Sequence, residues 1–450
     1  MLYKVPDKLC ELAKIFKERG FSLYLVGGAV RDYLLGKQNH DYDFTTDAEP
    51  TDIKQIFKRT IDTGIKHGTV TVLYKGGSYE ITTFRTEGEY KDKRHPDSVC
   101  FVKSLEEDLK RRDFTINALA SNLFTGELID YNNGLSDLSM HIIRAIGNPL
   151  DRFREDALRM LRACRFSSKL DFDIEQKTLD AIKQLHENVK AVSAERIKEE
   201  FFKLIDGIAP RKGLEAMRTT GLMHDIIPEL SKCYGVEQNG FHNEDVYEHQ
   251  ILALERCQEK GYPIEVKVAA LLHDIGKPET KKEGKEHFTY YGHDLLSAKL
   301  TISILRRLKA SNQEIEDISH LIEMHMFSYT SEWSDSAIRR FIKRVGIKYI
   351  DRLFMLRDAD IYATTGPCPD SSKELLELKK RIKKELEEKN AISLKDLAIN
   401  GNDLLKLGLK GKDIGATLSK LLDIVIDEPK LNAKEKLLSI ANDLSLDPKQ

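Results

Sequence analysis

The run LYLVGGAVRDYLLGKQNHDYDFTT, residues 23–46, constrains this chain more than any other segment. Alternation about Tyr42 and Phe44 reads as a short strand, which sets Asp41 and Asp43 on one face, where two carboxylates can hold a divalent metal. Upstream, Gly27 and Gly28 form a turn between an apolar strand over 22–26 and a helix starting near Ala29. Such a turn suits backbone that must approach phosphate closely at a helix N-terminus. A phosphate cradle beside a carboxylate pair is the minimum equipment for metal-assisted phosphoryl or nucleotidyl transfer. Neither half is specific alone, since Gly-Gly turns are common and acidic pairs on strands are usually solvated.

At 450 residues the chain is too long for one ordinary core, so two to four domains are expected. The formal charge of −2 hides blocks of opposite sign and leaves nucleic acid open as a partner, because binding needs only a local basic surface. No apolar run is long enough to span a bilayer, so no membrane partner is expected. The start MLYKVPDKLC lacks the pattern of a secretory signal. Six scattered cysteines form no CxxC pair, which argues for reduced thiols in the cytoplasm.

The first stretch mixes helix and strand. A helix over 6–19 precedes the first strand, and strands are expected at 42–45, 69–74 and 79–85, the last two joined by the turn Lys75-Gly76-Gly77-Ser78. Residues 99–102 can add an edge strand. The picture is a small sheet with helices on one side, and from about Arg111 onward the pattern reads as nearly all helical. A Gly- and Asn-rich change of texture at 234–245 suggests a linker or lid. Gly366, Pro367 and Pro369 close the next helical block, and a charged helix over 371–390 opens the tail.

Within this frame Gly27, Gly28 and Arg31 would serve a triphosphate, and Asp41 and Asp43 would bind Mg²⁺. Glu80 is a candidate third acid, although an edge-strand glutamate would look the same. Arg111, Arg112, Asp113 and Asn117 can clamp phosphate and contact a ribose; a salt-laced helix start reads equally well. Arg159, Arg162 and Arg165 recur every third residue and form a basic ridge on a helix read over 154–166. On that helix Asp156 and Arg159 are neighbours and would offer an acceptor and a donor to a base edge, which suits cytosine and adenine; an intrahelical ion pair is the alternative.

Six ordered blocks carry a family resemblance: LVGGAVRDYLLG with DYD, TTFRTEGEYKDKRHP, EEDLKRRDFTINALA, LIDYNNGLSDLSMHIIRAIG, REDALRMLRACRF and AERIKEEFFKLI. Together they resemble the bacterial class II tRNA nucleotidyltransferases, the CCA-adding enzymes, which share their head with poly(A) polymerases. The resemblance implies a multidomain α+β chain, with a small mixed or antiparallel-sheet head of the polymerase-beta-like kind. It assigns residues 1–140 to the head, 141–235 to a helical neck, 236–368 to an HD-type helical domain and 369–450 to a tRNA-contacting tail. It further implies addition of CCA to tRNA 3′ ends from CTP and ATP, with contacts to the acceptor stem and a monomeric or homodimeric state. Asp41 and Asp43 would carry the catalytic metals, and Arg112, Asp113 and Asn117 the sugar and phosphate contacts. Glu155, Asp156 and Arg159 would read the incoming base, with Arg196 bracing them and Asp130 and Asp137 at the hinge between head and neck. Residues 87–96 match a loop tied to the switch from C to A addition, and Gly401, Asp403 and Leu404 a turn in the tail, near Lys410 and Lys412. An A-adding enzyme or a poly(A) polymerase stays open, as does a rival class, an RNA-binding hydrolase with an inactive head.

A second constellation lies downstream. In AALLHDIGK an apolar helix ends in His273-Asp274, and with His249 upstream and an acid downstream these can form a divalent site. His293, His320 and His325 can extend it to a second metal or to phosphate. The block resembles the HD phosphohydrolases, and the resemblance carries the ligands to His249, His273, Asp274 and Asp360, with Asp358 as the alternative acid. Mg²⁺, Mn²⁺ or Ni²⁺ would serve there, and the implied substrates are 2′,3′-cyclic phosphates and 2′-phosphates at RNA ends.

Overall fold

A computed structural model describes residues 6–37, 42–65, 68–87, 99–238, 244–284, 287–366, 369–388 and 390–446. Asp41 and residues 88–96 of the expected loop lie outside the described residues. The chain divides into two compact units: residues 1–232 with 304–310, and residues 233–303 with 311–450.

The first unit is built on a mixed seven-stranded sheet. Its strands are β1 (Leu23–Val26), β2 (Asp43–Thr46), β3 (Thr60–Gly64), β4 (Thr69–Tyr74), β5 (Gly77–Thr83), β6 (Leu119–Asn122) and β7 (Leu128–Asp130), in the order β3-β4-β5-β2-β1-β6-β7. Within this sheet, among the described residues, only β2 and β5 pair in parallel. The β4–β5 turn places Lys75 and Gly76 at φ 45° and 77°, the left-handed pair that matches the twist of a two-residue hairpin. Leu25, Phe44 and Ile81, in register across three strands, are almost fully buried on one face, and Val26 is buried on the other with Ala120 and Leu109, so the central strands are covered on both sides.

Two expectations are corrected here. Residues 119–122 and 128–130 are strands and not helix; they extend the sheet beyond β1. A short apolar run such as Leu119–Ala120 fits either period, and pairing to Tyr24, Leu25 and Val26 decides it. Residues 99–101 pair with 85–87 as a separate ribbon, not as an edge of the main sheet.

Helix Leu158–Leu170 packs on helices Ala194–Ile205 and Pro210–Thr220. The second contact needs Gly213, because a Cβ there would lie 2.7 Å from the Cys164 carbonyl oxygen.

Among the described residues the second unit is helical apart from a short ribbon in which Lys282–Glu283 pairs with Phe288–Thr289. Helix Val246–Glu259 packs on Ile264–Leu272 and Ile350–Thr365, and Ile264–Leu272 also meets Asn312–Met324. The tail forms its own apolar cluster around Leu404, Leu421, Val425 and Leu437. In the tail a short turn at 394–396 and a helix Gly401–Lys406 stand apart, because Asn400 and Asp403 cap the second piece. Among the described residues no helix is long and apolar enough to cross a membrane.

Candidate functional site

Sheet register brings the first candidates together. Val26 pairs with Asp43, and Asp43 pairs with Glu80 on the other side. The chain turns at Gly27 immediately after Val26, so the glycine turn lies beside the Asp43 carboxylate. Gly27 adopts φ 68°, and a Cβ on it would lie 3.2 Å from Arg112 Nη1 and 3.9 Å from Asp43 Oδ2. The Gly27 N–H donates to Leu119 O at 3.2 Å. It is therefore engaged within the sheet, and backbone donors for a phosphate would start at Gly28.

A cavity of about 510 Å³ opens here. Among the described residues nine cationic side chains line it against three carboxylates, Asp43, Asp113 and Asp156, which makes it a receptor for a polyanion. It gathers Gly27, Gly28, Arg31, Asp43, Arg111, Arg112, Asp113, Asn117, Asp156, Arg159, Arg162 and Arg165 from segments far apart in sequence. Glu155 stands just behind, holding Arg159 Nη1 at 2.6 Å. Asp41 lies outside the described residues. An exposed carboxylate such as Asp43, at the wall of a polar cleft, has the hard oxygen donors that Mg²⁺ takes.

The arginines are fixed by buried acids. Arg162 donates to Asp113 Oδ2 through Nε (2.9 Å) and Nη2 (2.7 Å). Asn117 Nδ2 donates to the other Asp113 oxygen at 3.0 Å, and its own Oδ1 receives Arg31 Nη1 at 2.5 Å. Glu200 accepts from Arg162 and Arg165 at 3.3 and 2.7 Å. Asp108, fully buried, accepts from Arg111 Nε at 2.9 Å and lies 3.5 Å from Arg112 Nη2. It also receives Thr45 Oγ1 at 3.3 Å, which ties the arginine pair to the strand that bears Asp43. Burial opposes its ionisation, but Arg111 and Arg112 hold the carboxyl below its usual range. Arg112 Nε is buried with no hydrogen-bond partner among the described residues, a donor whose desolvation an incoming anion would offset.

Burial alone would raise the Asp113 carboxyl; Arg162 and Asn117 overcome it and hold the group at about 2. An unfolded aspartate titrates near 3.9, so the depressed group stabilises the fold above that pH and loses its effect as pH falls toward 2. The contribution is about 2 kcal/mol. Urea unfolding near pH 5 and near pH 3 should therefore show a steeper acid loss in the wild type than in Asp113→Asn.

The expected continuous helix over 154–166 is broken. Helix Pro149–Glu155 ends at Asp156, which is extended (φ −139°, ψ 104°), and a second helix covers Leu158–Leu170. Asp156 and Arg159 are thus not neighbours on one helix. Asp156 Oδ1 instead receives Leu158 N at 3.0 Å, and Oδ2 receives Arg196 Nη2 at 2.7 Å. Both residues still face the cavity. Sequence reasoning gave no role to Arg85, Phe166 or Lys169, which also line it, or to the buried supports Asp108 and Glu200. A usable signal was present for Asp108, whose arginines follow at three and four residues.

In the second unit, a buried cluster unites five elements. His249 Nε2 lies 3.2 Å from His273 Nε2, 3.5 Å from Asp274 Oδ2 and 3.2 Å from Asp360 Oδ1. His293 Nε2 and His325 Nε2 approach Asp274 Oδ1 at 3.2 and 3.9 Å. Burial opposes charge on Asp274, but His273 and Lys277 hold it well below the ordinary carboxylate range. Lys277 Nζ sits 2.6 Å from Asp274 Oδ2, a partner that sequence reasoning missed. His320 does not join: its Nε2 meets Val345 O at 2.7 Å and its ring packs on Tyr349. Asp358 turns away to Arg256 and Tyr262, leaving Asp360 as the acid in the cluster.

Comparison with known proteins bears on both units. The family profile described as "Poly A polymerase head domain" matches residues 23–144. A second, "Probable RNA and SrmB- binding site of polymerase A", matches 171–233, and one for tRNA nucleotidyltransferase domain 2 matches 294–441. A CCA-adding enzyme of Enterococcus faecalis is 37% identical over 448 residues, 98% of this chain and 97% of that one. One from Lactobacillus helveticus is 54% identical over 226 residues; the match covers 50% of this chain and spans only 56% of that enzyme. Among solved structures, the Bacillus stearothermophilus CCA-adding enzyme in complex with CTP superposes with a TM-score of 0.69 at 28% identity, covering 98% of both chains.

Proposed function

This chain belongs to the family of CCA-adding enzymes, and we propose that it carries out the reaction those enzymes are named for. It is a template-independent tRNA nucleotidyltransferase that extends the 3′ end of tRNA with C, C and A from CTP and ATP. The observation that carries this reading is the single cavity joining Asp43, the glycine turn, the arginine ridge and the Asp156–Arg159 edge. The 3′ oxygen of the RNA bonds to the α-phosphorus, the bond from that phosphorus to the β-phosphate oxygen breaks, and pyrophosphate leaves with the charge. Mg²⁺ held by Asp43 with Asp41 would supply Lewis acidity for the phosphoryl oxygens and a more acidic hydroxyl. Arg31, Arg111 and Arg112 neutralise the triphosphate, and Asp113 with Asn117 hold the ribose side of the cleft.

Base choice rests on Asp156 and Arg159. Cytosine and adenine both offer an exocyclic amine beside a ring nitrogen acceptor, so a carboxylate next to a guanidinium complements each. Uracil and guanine present a carbonyl beside an N–H, the reverse order. Each Asp156 oxygen has lone-pair capacity left beyond its bonds to Leu158 N and Arg196. Asp156→Ala should weaken discrimination against UTP and GTP by about 10- to 100-fold, the worth of one good base-edge pair, and reduce C addition far less. A variant inactive with every nucleotide, yet normally selective in any residual reaction, would remove Asp156 from base reading.

Incubation of the protein with tRNA lacking its terminus, Mg²⁺ and each labelled nucleotide in turn tests the whole reading. Ordered C, C, A extension is expected. Addition of A alone, a long A tail or no incorporation would each replace it. The working division of labour is a head at 1–140, a neck at 141–235, an HD-type domain at 236–368 and a tail at 369–450, with Lys410 and Lys412 as contacts to tRNA phosphate. The setting is the cytoplasm, in keeping with the free thiols of Cys100, Cys164 and Cys257.

The buried histidine cluster favours a second activity. His249, His273, Asp274 and Asp360 have the mixed imidazole and carboxylate donors of a divalent transition-metal or Mg²⁺ site. An ion there would let water add to the phosphorus of an RNA-end phosphate ester while the ester P–O bond breaks and the alcohol leaves with a proton. Loss of 2′,3′-cyclic phosphate hydrolysis in His273→Ala, with CCA addition intact, is the expected outcome.

A further inference from the structure

The cavity wall formed by helix Leu158–Leu170 does not end at the arginine ridge. Lys169 lies about one turn beyond Arg165 on the same face and lines the same cavity. From Arg159 to Lys169 this stripe runs about 15 Å along the helix axis. That length is comparable to an extended nucleoside triphosphate.

The stripe also has a direction. Its first residue, Arg159, shares the cavity with Asp156 at the proposed base-reading edge. At the other end, the charges that act most strongly on the Lys169 ammonium are those of Arg31 and Asp32. Arg31 in turn stands beside the glycine turn, since a Cβ on Gly28 would lie 3.5 Å from its Nη2. A nucleotide with its base at Asp156 and Arg159, and its phosphates running past that turn, therefore ends near Lys169.

Lys169 differs from the arginines around it in what it touches. Arg159 donates to Glu155 at 2.6 Å, Arg162 to Asp113 at 2.7 Å, Arg165 to Glu200 at 2.7 Å and Arg31 to Asp32 at 2.6 Å. Among the described residues no carboxylate is hydrogen-bonded or ion-paired to Lys169. Water of the open cleft reaches its side chain, yet the surrounding protein and the Arg31 guanidinium hold its ammonium below the ordinary lysine range. An anion beside it would offset both effects. An ammonium with three donors on a flexible stem suits the oxygens of a phosphate.

We propose that Lys169, together with Arg31, holds the terminal phosphate of the incoming CTP or ATP and keeps hold of it in the departing pyrophosphate. This rests on the proposed nucleotidyl transfer and adds to it the group that tells a triphosphate from a diphosphate. The contact is remote from the base, so it serves CTP and ATP alike. No bond to the lysine forms. As the bond from the α-phosphorus to the β-phosphate oxygen breaks, its electron pair stays on that oxygen, and the ammonium offsets part of the charge. An RNA phosphate offers the same oxygens, but the place of Lys169 beside Arg31 and the glycine turn favours the nucleotide.

The test uses the full chain with Mg²⁺ and compares Lys169→Met, which keeps the unbranched stem without the charge, with Lys169→Arg, which keeps the charge. Calorimetric titration without tRNA should show Lys169→Met weakening CTP by about tenfold or more and CDP by less than about twofold, the worth of one charge-assisted hydrogen bond confined to the third phosphate. Lys169→Arg should retain most of the CTP affinity. In steady-state addition the Michaelis constants for CTP and ATP should rise by similar factors in Lys169→Met, while the constant for tRNA and the preference for CTP over UTP stay put. The side chain is exposed, and circular dichroism checks that the fold is kept. Equal losses for CTP and CDP, no loss for either, or a rise confined to the tRNA constant overturns the assignment, the last by moving the lysine to an RNA phosphate. Those outcomes leave nucleotidyl transfer standing, whereas a wild type that binds and adds no nucleotide overturns that reading itself.

Discussion

Asp43→Asn should lower the rate of nucleotide addition by about a thousandfold or more, for CTP and ATP alike, without unfolding the protein. The reasoning is local. Asp43 is exposed at the first position of β2, beside the Gly27 turn and next to the guanidinium of Arg112. An amide keeps the size of the carboxylate but loses its charge and most of its affinity for a hard cation. Cation-assisted charge stabilisation is worth several kcal/mol in the transition state, and each 1.4 kcal/mol is a factor of ten in rate. Because the side chain is exposed, stability should change by less than about 0.5 kcal/mol. Single-turnover addition of labelled C, with a urea midpoint on the same sample, separates the two effects. Near-normal turnover would take Asp43 out of the chemistry. Glu80→Gln in the same assay reads whether the acid paired with Asp43 across the parallel strands shares its load.

How much of this was legible beforehand depended on distance along the chain. Asp43, Gly27 and Gly28 declare themselves through local alternation and a turn, and short-range pairing then puts them side by side. Asp156 behaves differently. Its break in the helix is set by a bond to Arg196, forty residues on, and by the capping of Leu158 N, so periodicity over 154–166 ran straight through it. Likewise nothing near Glu200 announces that it will be buried between two arginines of another helix. In the second unit, the adjacent imidazole and carboxylate of His273-Asp274 were readable from type and position, and the resemblance chose Asp360 over Asp358. His320 and His325 were indistinguishable by sequence, since the carbonyl of Val345 that engages His320 belongs to another element. Short-range patterns fix what a segment can offer; long-range partners decide which offers are taken up.

That dependence on distant partners is sharpest at Asp113. Asp113→Ala should destabilise the first unit by about 3 to 5 kcal/mol, the cost of removing one member of a buried pair and stranding the other. The carboxylate takes two bonds from Arg162, one from Asn117 and one from Phe114 N (2.8 Å). With the acid gone, Arg162 keeps Glu200 as its hydrogen-bonded carboxylate among the described residues, which it already shares with Arg165, so three charges would compete where four now balance. Asn117 loses the bond that orients it, and through it Arg31 loses a fixed acceptor at the cavity wall. Asp113→Asn keeps an oxygen for Phe114 N and Asn117 and should cost clearly less than the alanine variant, while still forfeiting the charge that compensates Arg162. Urea unfolding of both variants at neutral pH, alongside the Michaelis constant for CTP, checks the order. A loss under 1 kcal/mol for Asp113→Ala would mean that Arg162 finds compensation elsewhere, and the buried relay from Asp113 through Asn117 to Arg31 would not be what holds the cleft in shape.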